Sequence, residues 1–171
     1  MPSPNITKSK FHEIELIKHG WVEPNNGRMM DEVDLKINGE IVTDRYFSRG
    51  WNHTVIMSHY EPDSPDGRFF FLPKESGGVL LDTQNNFSVI GIGSNSVTAA
   101  TVIGNTYFND RIFVVYSDEV VVKHLLTMEQ TIYDFSDIQV GWVRPMDEQQ
   151  FELRYSDKGA WQEKSRVIKF A

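Results

Sequence analysis

The chain has 171 residues, 40% of them hydrophobic with 11 Phe, 6 Tyr and 4 Trp, and carries a formal net charge of −7. That apolar content suffices for a folded core of single-domain size and excludes a disordered chain. The acidic balance argues against nucleic acid, whose phosphates are engaged through Lys and Arg; the absence of cysteine excludes disulfide staples, thiolate metal ligands and a cysteine nucleophile.

Residues 1–10, with two Pro and two Ser, read as a flexible tail, and residues 11–171 as a single globular domain. From Phe11 to Val22 the alternation of Glu13, Ile14, Glu15 and Leu16 predicts a strand with one wet face. Val33, Leu35 and Ile37 then alternate with Asp34 and Lys36 before Asn38-Gly39 and Glu40-Ile41-Val42. Asn-Gly supplies the positive φ angles of a type I′ turn, so this segment predicts a hairpin in which Leu35 faces Val42. Thr54–Tyr60 reads as a strand, Glu61–Gly67 as a turn-rich acidic loop, and Arg68–Leu72 as an apolar run ended by Pro73.

Between Ser76 and Asn109 there is one charged side chain, Asp82, in a stretch rich in Val, Ile, Thr, Asn and Gly. Such a segment is expected to be strand and largely covered, because an exposed edge of that composition is an aggregation hazard. Phe87–Ile92 predicts a strand whose Gly91 and neighbouring Gly93 mark a bulge or a close backbone approach, and Val97–Ile103 fits strand or short helix. Arg111–Tyr116 and Val120–Leu125, split by Ser117-Asp118-Glu119, predict a second hairpin. Thr127–Phe135 is the best helix candidate, and Phe151–Tyr155 and Trp161–Phe170 flank a third turn at Ser156–Gly159. Gly20-Trp21-Val22-Glu23-Pro24 echoes Gly141-Trp142-Val143-Arg144-Pro145, which reads as two strand ends rather than a repeat. The expected fold is mainly β, with α+β as its alternative: an antiparallel sandwich or partly closed barrel with one or two short helices.

The densest polar stretch runs from Trp51 to Gly67. Cupin-class enzymes use a Gly, a His-x-His pair and a Glu as metal ligands; Gly50, His53 and Glu61 exist here, but Val55 stands where the second His belongs. His53, His59 and Glu61 remain the set for a metal-dependent enzyme, while strand histidines beside a solvated acidic turn are the simpler account, so no metal is expected. Neither G-x-S-x-G, a dinucleotide fingerprint nor a phosphate-binding P-loop occurs. Acid pairs such as Asp31-Glu32, Asp118-Glu119 and Asp147-Glu148 sit in apparent turns, where solvated acids are common. No catalytic residue and no cofactor emerge.

Small size, acidity, absent cysteine and an aromatic β-rich sequence without evident catalytic residues together resemble the bacterial immunity proteins that neutralise contact-delivered or polymorphic toxins. That resemblance implies non-catalytic binding of a cognate basic toxin domain inside the producing cell. Glu61, Asp63, Asp66, Asp118 and Glu119 are the expected partner-binding residues, since an acidic surface steers a cationic partner. The alternative is a small-ligand-binding β-barrel lined by Ser76–Asn109. The first residues carry no apolar signal-peptide run, and no stretch approaches the ~18 apolar residues of a membrane span, so a cytoplasmic protein without a membrane partner is expected.

Overall fold

Asn38 and Gly39 adopt φ angles of 52° and 86°, and this Asn-Gly turn joins β2 (Met30–Ile37) to β3 (Glu40–Ser48) as the sequence predicts. The computed structural model describes residues 9–22, 30–48, 59–74, 77–93 and 102–171. Most of the expected Thr54–Tyr60 strand, most of the ambiguous Val97–Ile103 segment and the first eight residues lie outside these. Beyond the turn, Ile37 pairs with Glu40 and Lys36 with Ile41, but Leu35 then pairs with Thr43 rather than the expected Val42. The ladder shifts twice, between Lys36 and Leu35 and again between Leu35 and Val33: at each bulge one extra residue of β3 enters, so Val33 pairs with Tyr46.

Every regular element among the described residues is a strand, and the strands form four antiparallel sheets, none closed into a barrel. The fold is mainly β, and the helices expected from the sequence are absent among the described residues. Thr127–Phe135 instead forms a turn followed by β10 (Gln130–Asp134), paired with β9 (Glu119–His124). Thr131, Ile132 and Tyr133 favour a pleated surface, and cross-strand pairing to Val120–Val122 overrides the weak helical signal. No helix among the described residues is long and apolar enough to cross a membrane.

The chain divides into two compact units, residues 1–56 with 62–91, and residues 57–61 with 92–171. In the first, β1 (Ile14–Val22) pairs with β2, and β4 (Phe69–Lys74) pairs with β5 (Gly77–Asp82), which neighbours β6 (Ser88–Gly93), a strand whose last two residues count with the second unit. Phe69, Phe70, Phe71 and Leu72 are buried, as are Val79, Leu80 and Leu81, and β4 continues through Pro73 to Lys74 instead of ending at the proline. Asp82, the lone charge of the charge-poor stretch, is buried too. Its carboxylate accepts a forked pair of bonds from Arg68 Nε and a terminal guanidinium nitrogen at 3.0 and 2.9 Å, which offsets its desolvation.

The second unit is a sandwich. One sheet has the order β10-β9-β8-β7, with β7 spanning Val102–Phe108 and β8 spanning Arg111–Tyr116; the other is β11 (Ile138–Pro145), β12 (Gln150–Asp157) and β13 (Lys164–Lys169). Phe113, Val115, Val120 and Val122 of the first sheet share one core with Val140, Val143, Phe151 and Leu153 of the second. Phe113 and Tyr133 both meet the Phe151 ring edge to face, with centroids 5.6 and 5.5 Å apart. The second predicted hairpin is the β8–β9 pair, and the third turn joins β12 to β13. Both copies of the Gly-Trp-Val echo lie in strands, each beside a register shift.

Candidate functional site

The acidic loop is built largely by its own carboxylates. Asp63 accepts from the Ser9 hydroxyl at 2.6 Å and the Lys10 amide at 2.8 Å, so the last two residues of the expected tail are tied down. Asp66 accepts from the Ser64 hydroxyl and the Arg68 amide, and the Ser64 bond holds its carboxyl below the usual carboxylate range. His12 Nε2 donates to the Gly67 carbonyl, and Phe11 lies against Gly67, whose φ of 75° turns the chain. Asp63 and Asp66 thus shape a loop of the first unit, while Asp66 also remains exposed.

Glu61 belongs to the second unit, where residues 59–61 lie along β7. The Asn105 amide donates to the His59 carbonyl at 3.0 Å. The fully buried Asn105 side chain then accepts from the Glu61 amide at 3.1 Å and donates to the Glu61 carbonyl at 2.7 Å. This clamp needs a glycine beside it: a Cβ on Gly104 would stand 1.8 Å from the His59 oxygen. The close approach therefore falls at Gly104, whereas a Cβ on Gly91 would meet nothing within 4 Å. The Glu61 carboxylate is exposed and accepts from Thr106 Oγ1 at 3.0 Å and the Tyr107 amide at 3.5 Å. His59 stacks on Trp142 with ring centroids 4.2 Å apart. His53, its proposed partner in a metal set, lies outside the described residues. Among the described residues, no three His, Asp or Glu side chains are grouped to hold a metal ion.

Antiparallel pairing decides which acids come together. Thr106 and Tyr107 pair with Phe113 and Ile112, next to the Asn109-Asp110 turn, so Glu61 lies toward that end of the sandwich. Asp118 and Glu119 stand at the opposite end of β8, about 17 Å away by strand rise. Glu119 is buried, leaving half-buried Asp118 as the acid that this turn shows to solvent.

Sequence reasoning missed the loops at the Glu61 end. The Leu125 amide donates to the Asp110 carbonyl at 2.7 Å, joining the β7–β8 and β9–β10 turns. Glu148, in the β11–β12 turn, accepts from the Asn109 side chain and from Arg111 at 3.1 Å. His124 Nδ1 accepts from the Leu126 and Thr127 amides and fixes the β9–β10 turn. The joined loops present exposed Asp110, Glu129, Asp147 and Glu148 beside Leu126, 64% exposed, and Met146, 39% exposed. Asp147-Glu148 was visible as a turn pair; reading Thr127–Phe135 as a helix concealed the turn that carries Leu126. No protein-family model matches this chain, and no curated protein matches it.

Proposed function

We propose that this chain is a non-catalytic binding protein whose acidic loop end takes a basic protein partner, in the manner of the toxin-immunity proteins that its profile resembles. The carrying observation is the loop end of the second unit, where Glu61, Asp110, Glu129, Asp147 and Glu148 project beside exposed Leu126 and Met146. Opposite charge accelerates encounter, and desolvated apolar anchors hold the complex once it forms. The hydrogen bonds joining these turns organise the surface before binding, which reduces the ordering cost of association. Within the second unit, buried Glu119 is unsuited to direct contact, and in the first unit Asp63 is committed to shaping its own loop.

The test is affinity capture from the native host with the wild-type chain and an Asp110→Asn, Glu129→Gln, Glu148→Gln variant, followed by mass spectrometry. The proposal expects one basic protein at equimolar level on the wild type and its depletion on the variant. Equal recovery on both, or no equimolar partner, would remove the loop end from the account.

A further inference from the structure

The β11-β12-β13 sheet ends on β13, and among the described residues no strand pairs with its outer edge. Its burial pattern is exposed throughout except for half-buried Ile168. Such an edge carries unpaired backbone N–H and C=O groups that can template another strand. Pairing with β12 sorts its side chains into two rows. Lys164 and Arg166 stand opposite Tyr155 and Leu153, while Ser165, Val167 and Lys169 stand opposite Arg154, Glu152 and Gln150. Arg166 is held in place over the Phe135 and Tyr155 rings at 5.4 and 5.2 Å. Three residues before the strand, Trp161 is fully exposed.

Charge selects what this edge can accept. Lys158, Lys164, Arg166 and Lys169 are offset by Glu163 and by Asp157, which accepts from Lys164 at 2.5 Å, leaving a net excess of two cations across residues 157–169 in a chain whose net charge is −7. A second copy of β13 would bring three more cations, Lys164, Arg166 and Lys169, to the same edge, and like charges close together across a ladder are destabilising. The same pattern favours an acidic strand. We propose that the outer edge of β13 takes an extended acidic segment of a partner protein by strand addition. Acids of that segment lie opposite Lys164 and Arg166, an apolar residue lies opposite Val167, and Trp161 packs on the segment's end. This inference does not depend on the acidic loop end.

The probe is a fluorescein-labelled octapeptide of alternating valine and glutamate, capped at both ends and titrated with the full chain by anisotropy. Saturable binding with Kd below about 1 mM is expected. Replacing glutamate by lysine, or methylating alternate backbone nitrogens, should weaken it about tenfold or more. Lys164→Glu, at an exposed position, should weaken the glutamate peptide about tenfold and tighten the lysine peptide; Trp161→Ala should weaken both. The proposal is overturned if the glutamate peptide does not bind, if the methylated peptide binds equally, or if either variant leaves binding unchanged.

Discussion

Replacing Gly104 by Ala should unlatch the 59–61 segment from β7. A Cβ there would lie 1.8 Å from the His59 carbonyl oxygen and 2.8 Å from its carbon, so the two backbones must separate by about 1.5–2 Å to reach ordinary contact. That movement breaks the 3.0 Å bond from the Asn105 amide to His59 and pulls Glu61 from the two Asn105 side-chain bonds. Each bond contributes about 0.5–1.5 kcal/mol, and a buried amide left unpaired costs about 1–3 kcal/mol, so a loss of roughly 2–4 kcal/mol is expected. An ordinary Gly→Ala change in a strand works the other way, gaining about 0.5–1 kcal/mol. Gly93 in the same unit is the control, because its added Cβ would meet only the flexible Gln130 amide at 3.5 Å. Guanidinium unfolding followed by fluorescence, with m-values compared, reads both variants. A Gly104→Ala protein within about 0.5 kcal/mol of wild type, or two variants shifting with the same sign, would refute the clamp.

Three further outcomes follow from buried charge and turn geometry. Asp82→Asn keeps the side-chain shape but removes the charge facing Arg68, and should cost about 1.5–3 kcal/mol in urea unfolding, less than a fully buried pair because Arg68 is partly exposed. The Asp82 carboxyl is held low chiefly by its bond from Arg68. Its stabilisation is therefore complete above the ordinary carboxylate pKa near 4 and drains as pH falls through the depressed folded value. An acid titration of stability should accordingly be steeper for wild type than for Asp82→Asn; superimposable slopes would contradict the pairing. Lys123 is buried, and burial pushes its ammonium pKa down, so the charged form is penalised near neutral pH and relieved as pH rises. Lys123→Met, losing only the bond to the Met128 carbonyl, should be neutral or stabilise by up to about 2 kcal/mol, as a thermal melt will show. Gly39→Ala places a Cβ on a backbone at φ 86° and should cost about 1–2 kcal/mol, read by the same melt.

Local chemistry makes much of the fold legible in the sequence. Asn38-Gly39 specifies its turn through backbone sterics, and the β-branched runs on either side of Ser117–Glu119 specify the β8–β9 hairpin through their pleat. The bulges in β3 were not legible, because a register shift depends on the partner strand and leaves no mark on Leu35 or Val42 themselves. Neither was the role of Glu61, whose clamp residue Asn105 lies 44 positions away. The charge-poor stretch predicted cover, and β5 and Asp82 are buried, yet Val89 in β6 is 56% exposed. Composition reports the average environment of a stretch, whereas burial alternates along each strand. The acidic loop end escaped because turn acids look alike in sequence. Only antiparallel pairing reveals that Asp110 and Glu148 share one end while Asp118 stands at the other.

The most direct test of acidic capture is the association rate of the captured partner, measured by stopped flow between low and high salt. The account predicts a rate that falls about tenfold or more for wild type as salt screens the acids, and a lower, flatter dependence for the Asp110→Asn, Glu129→Gln, Glu148→Gln variant. Identical salt dependence in the two proteins would contradict it.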